Sequence, residues 1–325
     1  MANLSTKYLG LELKSPVIVS AGPYTQTIES LKKLEAAGAG AVVLKSIFEE
    51  QIEDDVANEY KANEDYLNWS VAESHFMEHG KDYYIDRYMR LLIEAKKNLS
   101  IPVIASVCCK TTEEWIDYAE RFVNCKADAI ELNYYPLASD ASVDGKDVEK
   151  TLFEFAKLAK KKISCPVAIK MGNKYSSMAN VISKLDAIGI DGAVLFNRFY
   201  RPDIDIENLS FVHGPELSSP VEYSEALRWI GLSSGEVKMD LCGNTGIHDG
   251  ETVVKMLLAG AKAVEVCTVI IREGAEAITK MNDFISSWMD KKGYDSLNQF
   301  IGKLAQERNS EGYKWERTQF LNMIK

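Results

Sequence analysis

Lys45, Asn133, Lys170 and Asn197 each stand where a short apolar run ends, and together they carry most of the chemistry legible in the chain. A lysine closing a buried run is desolvated, which disfavours its charge unless an anion meets it. It then serves as a Schiff-base nucleophile, as the charge partner of a bound anion, or as half of a structural ion pair. Two lysines converging on one pocket favour the anion partner. Asn133 and Asn197 offer both donor and acceptor to the edge of a flat heteroaromatic ring; tying down loops is the competing role. Gly243-Asn244-Thr245-Gly246-Ile247 runs into a predicted helix near His248-Asp249, and Cys267-Thr268 closes the following apolar run. Backbone N–H groups at such a helix start form an anion site of the phosphate type. A plain glycine turn is the alternative.

Other groups say less. His75 and His79 lie four apart in a stretch read as a loop, with no third ligand, so they are expected in surface or loop roles. His213 and His248 have no metal-ligand spacing either. The cysteines at 108, 109, 125, 165, 242 and 267 contain no C-x-x-C pair, and most fall in or beside strand runs. They are expected as reduced thiols, with no zinc or iron–sulfur site. Gly38-Ala39-Gly40 precedes a strand run instead of following one, so it is no dinucleotide fingerprint.

Eight runs must position these residues: 16–20, 41–45, 102–106, 129–133, 166–170, 192–197, 237–241 and 263–267. Their short, mostly apolar character suits parallel strands buried on both faces. Amphipathic stretches such as 28–37, 113–123 and 252–259 lie between them, and Gly38 and Gly260 read as helix stops. This alternation predicts a (β/α)8 TIM barrel of class α/β, with its chemistry at the C-terminal ends of the strands. The ring of strand ends then reads Ser20-Ala21-Gly22, Lys45-Ser46, Cys108-Cys109-Lys110, Asn133, Lys170, Phe196-Asn197, Gly243 to Gly246, and Cys267-Thr268. Three long connections, 47–81, 134–146 and 199–220, rise from that ring and are expected to form a cap or lid.

The chain is expected to be a single domain over 1–325, with a C-terminal extension at about 306–325. Hydrophobic content of 46% allows a large core, and 26% charged residues suit a soluble surface. A net charge of −10 argues against nucleic acid or an anionic membrane as partner. No apolar run approaches the roughly 18 residues of a membrane span and no signal-peptide pattern opens the chain. A cytoplasmic location is expected.

Ser15-Pro16-Val17-Ile18-Val19-Ser20-Ala21-Gly22, Gly38 to Ser46, Gly80-Lys81-Asp82-Tyr83-Tyr84-Ile85-Asp86, Glu131-Leu132-Asn133, Ile169-Lys170, Phe196-Asn197, Gly243 to Ile247 and Thr268 follow in a characteristic order. Gly293-Tyr294-Asp295-Ser296-Leu297 and Gly302-Lys303-Leu304 continue it. In these segments the chain resembles the dihydroorotate dehydrogenases, most closely their soluble class 1 branch, over residues 3 to 305. The resemblance implies FMN as cofactor, held by Ala21, Gly22, Lys45, Ser46, Asn133, Lys170, Phe196, Gly243, Asn244, Cys267 and Thr268. Its phosphate would meet Gly243-Asn244 and Cys267-Thr268, and Lys170 would lie near the flavin N1–C2=O edge. Lys45, Asn133 and Asn197 would hold a small dihydropyrimidine-like substrate. The implied reaction oxidises dihydroorotate to orotate in pyrimidine biosynthesis, with hydride passing to flavin N5, in a homodimer using a soluble electron acceptor.

The chain departs from the pattern at two loops. Where the family reads Asn-Leu-Ser-Cys-Pro-Asn, with Cys or Ser as base, this chain reads Asn133-Tyr134-Tyr135-Pro136-Leu137. Counting back from Gly80, Ala72 stands where the family has a substrate-binding Asn. Thr245 and Cys267 replace a glycine in each phosphate motif, a change compatible with FMN. Tyr135, Ser139 and Cys109 are the candidate replacement bases, with Lys45 or Lys110 as the cation that would lower a phenol's pKa. Two rivals remain: an FMN oxidoreductase acting on another small cyclic amide or enoate, and a Schiff-base lyase or aldolase using Lys170. A flavin-binding relic without activity is a third.

Overall fold

The computed structural model describes residues 2–48, 70–108, 112–199, 201–214 and 216–316; of 70–81 and 112–113 it describes the backbone alone. An antiparallel hairpin opens the chain, β1 (Thr6–Tyr8) with β2 (Leu11–Leu13). Strands follow wherever β-branched and small residues run together: β3 (Val17–Val19), β4 (Ala41–Val43), β5 (Ile47–Phe48), β6 (Val103–Cys108) and β7 (Ala129–Tyr134). Then come β8 (Val167–Met171), β9 (Gly192–Leu195), β10 (Pro202–Asp205), β11 (Ser210–His213), β12 (Asp240–Gly243) and β13 (Ala263–Val266). In the main sheet the order is β4-β3-β13-β12-β9-β8-β7-β6, and β4 pairs again with β6 to close the ring. Every pairing around it is parallel. The eight-stranded barrel expected from the sequence is therefore present.

Side chains alternate along a strand, so every second residue faces the barrel axis. Ile18, Ala41, Val43, Ile104, Ala129, Ala168, Val194, Cys242 and Ala263 form one buried cluster with Tyr8, Leu9 and Leu13 of the hairpin. The hairpin thus plugs the N-terminal end of the barrel, and the inward alanines leave room for it. Two residues further along the same inward parity come Ser20, Lys45, Ser106, Glu131, Lys170, Asn244 and Glu265. Asn133, Cys108 and Cys267 lie one step above. Strand parity alone thus places most of the chemistry-bearing residues on one axis. A second, larger cluster including Val17, Val42, Leu44, Val103 and Leu132 packs outward against the helices.

Four expectations need correction. The seventh strand lies at Asp240–Gly243, three residues later than the run 237–241. Asp186 explains the shift, because its carboxylate accepts from the N–H groups of Lys238 and Met239 and removes them from the sheet ladder. The connection expected over 47–81 ends in the long helix Ser70–Asn98, which contains His75 and His79; its middle, 49–69, lies outside the described residues. The connection 199–220 folds in part into the exposed β10–β11 hairpin. The N-terminal hairpin had no counterpart in the sequence reading. Among the described residues no helix is long and apolar enough to cross a membrane.

After the Glu276–Lys292 helix the chain returns along the barrel's outer layer in short 3-10 turns. Trp315 donates from its indole to Leu304 O at 2.7 Å and lies flat on Gly231 of the Tyr223–Ser233 helix. A β-carbon on Gly231 would sit 2.6 Å from Trp315 Cε2. Gly231→Ala should displace the indole and lower stability by about 1–3 kcal/mol, the usual cost of overpacking, read as a fall in the urea midpoint. An unchanged midpoint would show that the terminal turns are not part of the folded unit.

Candidate active site at the barrel mouth

Lys170 leaves β8 toward the axis and is only 4% exposed. Its ammonium lies 2.7 Å from Glu265 Oε2, 2.7 Å from Ser20 Oγ and 3.7 Å from Glu131 Oε1. Ser20 Oγ in turn donates to Glu265 Oε2 at 2.8 Å. Burial acts to lower the Lys170 pKa, but Glu131 and Glu265 outweigh it and hold the amine well above its ordinary value. The two carboxyls split in opposite directions. Burial and repulsion from Glu265 push Glu131 well up. Burial also opposes ionisation of Glu265, yet Lys170 and the hydrogen bonds from Glu131, Lys170 and Ser20 bring it below the usual carboxyl range. The negative charge of the pair therefore sits on Glu265, beside the Lys170 ammonium, and Lys170 is a fixed cation.

Lys170 thus meets internal carboxylates, as the ion-pair reading has it, and also lines the smaller mouth cavity, where a bound anion would meet the same charge. A Schiff base needs a free amine, and this amine is held protonated. Glu131 and Glu265 were missed, although a carboxylate at the centre of each apolar run, two residues from Asn133 and Cys267, is the signal that could have found them.

Asn133 sits one step above Glu131 and is also buried. Its amide donates to Ser46 Oγ at 2.8 Å and Ser106 Oγ at 2.9 Å, and the two hydroxyls lie 2.9 Å apart. Its Oδ1 accepts from Asn197 Nδ2 at 3.4 Å. The two asparagines expected at the ring edge are thus brought together, with Ser46 as part of the same network and Ser106 as an addition to it. Lys45, half-buried, places its ammonium 5.8 Å from the Phe48 ring centroid.

The phosphate-type loop is tightly built. Asn244 Nδ2 and Thr245 Oγ1 both donate to Phe196 O at 2.9 Å. Thr245 takes φ +69°, a left-handed conformation uncommon for a β-branched residue. Gly246 follows at φ +75°, and a β-carbon there would lie 2.3 Å from Tyr223 N. Thr268 Oγ1 accepts from Ser218 N at 3.1 Å and from Ser218 Oγ at 3.0 Å, and His248 Nε2 lies 3.0 Å from the same Ser218 hydroxyl. Burial and the positive charge of Arg272 lower the His248 pKa, so the ring is neutral near pH 7. Cys267 packs on Gly22, where a β-carbon would meet its sulfur at 2.8 Å. Burial raises the Cys267 pKa and keeps it a thiol. Gly243 points outward at Met256 and Ile230 and lines neither mouth cavity.

Two cavities open here. One of about 170 Å³ is lined by Ser20, Ala21, Lys170, Gly246, Cys267 and Thr268 among others. Another of about 660 Å³ includes Asn173, Lys174, Phe196, Phe199 and Pro202. Asn197, Arg198, Asn244 and Thr245 line both, so the two spaces share a wall. Of the candidate bases, Tyr135 stands at the mouth. Its hydroxyl lies 3.7 Å from Cys108 Sγ, and its ring meets Phe199 edge-on at 5.6 Å. Ser139 is exposed and lines a separate cavity of about 310 Å³ with Tyr134 and Pro136. Cys109 and Lys110 lie outside the described residues, as does the Ala72 side chain. Among the described residues no cluster of His, Cys, Asp and Glu forms a metal site.

The family model described as dihydroorotate dehydrogenase matches residues 3–289. The chain is 25% identical over 308 residues to a dihydroorotate dehydrogenase B (NAD(+)) catalytic subunit of Caldicellulosiruptor saccharolyticus, covering 93% of this chain and 99% of that protein. It is 27% identical over 315 residues to the subunit of the same name from Methanothermobacter thermautotrophicus, covering 92% and 97%. The Pyrococcus abyssi counterpart is 25% identical over 315 residues, covering 92% and 98%.

The unequal charge of the two glutamates generates a testable asymmetry. Glu265→Gln should cost about 3 kcal/mol or more, because it leaves Lys170 buried without its anion. Glu131→Gln, which leaves that anion in place, should cost under about 1 kcal/mol. Glu265 has a depressed pKa, so its contribution is present above the ordinary carboxyl range and is lost as pH falls through the depressed value. Denaturant midpoints measured from pH 7 downward should show that acid-linked loss in the native protein and not in Glu265→Gln. Equal costs for both variants would refute the assignment of charge.

Proposed function

Because the chain belongs to the dihydroorotate dehydrogenase family, we propose that it is an FMN-dependent oxidoreductase that oxidises dihydroorotate to orotate in pyrimidine biosynthesis. The observation that carries this reading is the fixed cation of Lys170 in the wall of a cavity that also reaches the Gly246 and Thr268 loops. The residues fit the group. Gly246 lets the loop pack against the Tyr223 backbone, and the wall common to both cavities runs from Asn244 and Thr245 of the phosphate-type loop to Asn197. Thr268 with Asn244 would hold the phosphate end, Ala21 and Gly22 the neighbouring wall, and Lys170 the electron-rich edge. When bound, FMN supplies a ring that takes hydride at N5 and gathers negative charge along N1–C2=O.

The protein's own part begins with position. Asn133, pinned by Ser46 and Ser106, keeps its carbonyl toward Asn197, and the pair presents a donor and an acceptor to a planar amide ring. Lys45 adds a cation at the same level of the barrel. Lys170 cannot give up its proton near neutrality, so it acts as a charge and not as an acid. The proton leaving the substrate carbon needs a base, and Tyr135 is proposed for it, with the Cys108 thiol as the group next to its hydroxyl. Cys108 faces inward by strand parity and is the second group placed to take that proton. Ser139 is the weaker choice, since it lines another cavity.

The relatives' names carry NAD+ and the term catalytic subunit. The same arrangement is proposed here: NAD+ as final acceptor and a further subunit as partner, with the barrel as a homodimer acting in the cytoplasm.

Purified protein should be yellow and release FMN on denaturation. Dihydroorotate added without oxygen should bleach it. Colourless protein, or flavin that dihydroorotate leaves oxidised, would overturn the reading. Tyr135→Phe should slow pre-steady-state bleaching by about 100-fold, the usual worth of a general base. Unchanged bleaching in Tyr135→Phe with loss in Cys108→Ala would move the role to the thiol.

A further inference from the structure

Arg198 follows Asn197 directly and lines both mouth cavities. Its side chain is 16% exposed, and its side-chain contacts with the described residues are made through Nε and Nη1. Nε donates to Glu222 Oε2 at 3.1 Å and Nη1 to Glu216 O at 3.0 Å. Its backbone N–H donates to Asn197 Oδ1 at 2.9 Å. Among the described residues the buried Nη2 has no hydrogen-bond partner. An arginine presents five donors in a rigid fork, and leaving the terminal arm of a buried fork empty costs free energy. The two clamped arms fix the plane of the fork, so the third arm has a set direction.

The surrounding charge is unbalanced. Glu222 is shared, because Arg201 also reaches its Oε2 at 2.9 Å. Burial pushes the Glu222 carboxyl up, but the Ser219 N–H and the two arginines bring it below its ordinary value, so it is spent on holding them. The larger cavity is lined by Lys174, Arg198 and Arg201 against Glu222 and Glu225. That is one positive charge in excess, within a chain of net charge −10. A surplus cation with a free, oriented donor is a receptor for a planar oxyanion.

We infer that Arg198 takes the carboxylate of the ring-shaped substrate through its unpaired Nη2, and so sets the preference of this site for a charged over a neutral dihydropyrimidine. The inference rests on the proposed reading of the reaction. The carboxylate is favoured over the flavin phosphate because Arg198 follows Asn197 directly and donates to its Oδ1 from the backbone, and Asn197 in turn is bonded to Asn133.

The test uses the flavin-loaded protein and its change in flavin absorbance on titration with orotate and with uracil, the same ring without the carboxylate. Arg198→Gln should weaken orotate by about 10–100-fold, the range of one charge-assisted hydrogen bond, and leave uracil within about threefold. Arg198→Lys, which keeps the charge without the fork, should fall between and carries the same comparison if the glutamine variant does not hold flavin. Equal weakening of both ligands, or of neither, overturns the inference. So does a variant that loses FMN but retains riboflavin, which would place the guanidinium on the phosphate. Wild-type protein that binds orotate through Arg198 yet is not bleached by dihydroorotate would sink the proposed reaction and leave this inference standing. Wild-type protein that takes up no orotate sinks the inference itself.

Discussion

An ammonium that water cannot reach must find its counter-charge inside the protein, and Lys170 finds it across the barrel. Glu131 comes from the adjacent strand β7, while Glu265 and Ser20 come from β13 and β3, which are neighbours of each other and not of β8. The network therefore ties two separate arcs of the ring together at one level. Residues facing one another in the parallel registers, Asn133 with Lys170 and Glu265 with Ile18, depend on those arcs keeping their relative height. Buried ion pairs seldom exceed well-packed hydrocarbon in stability. A charge kept here at that disadvantage is better explained by what it offers the cavity beside it.

Around that cation the mouth divides by rigidity. The inner wall is strand and strand-end: Asn133 locked by two hydroxyls, Thr245 held in a left-handed turn by its bond to Phe196 O, Cys267 wedged on Gly22. Strand-borne groups of this kind hold geometry closely. The outer wall is loop. Tyr135, Phe199 and Arg198 all come from connections after β7 and β9. A strand-built floor beneath a loop-built wall is the division that lets one barrel fold serve several substrates.

The barrel was legible because its strands are apolar runs separated by helical ones, and the strand ends could be counted directly. Lys170, Asn133 and Asn197 were legible as polar residues closing those runs. The state of Lys170 was not, since Glu131 and Glu265 acquire meaning only when three separated strands meet on one axis. Asp186 moved the seventh strand through a side chain fifty residues away, a tertiary effect that periodicity does not register. Arg198 drew no reading from the sequence, because Glu222 and Glu216 give it meaning only by fixing two arms of its fork. The helix Ser70–Asn98 begins within a mixed acidic and aromatic stretch that lacks a clear apolar stripe, so its start had no signature.

The hairpin plugging the barrel floor has a bearing on how the chain reaches its fold at all. Thr6 donates to Lys262 O, 256 residues away, and Leu9 N–H to Asp240, 231 residues away. The hairpin, which precedes every barrel strand, is thus finished only by the last two of them. Until β12 and β13 arrive, Tyr8, Leu9 and Leu13 have no pocket to fill and stay open to water and to other chains. Such distant contacts must be closed against the full entropy of the intervening chain, and they slow folding accordingly. The barrel floor is in this sense a clasp, fastened only when the last barrel strands reach the hairpin that precedes them all.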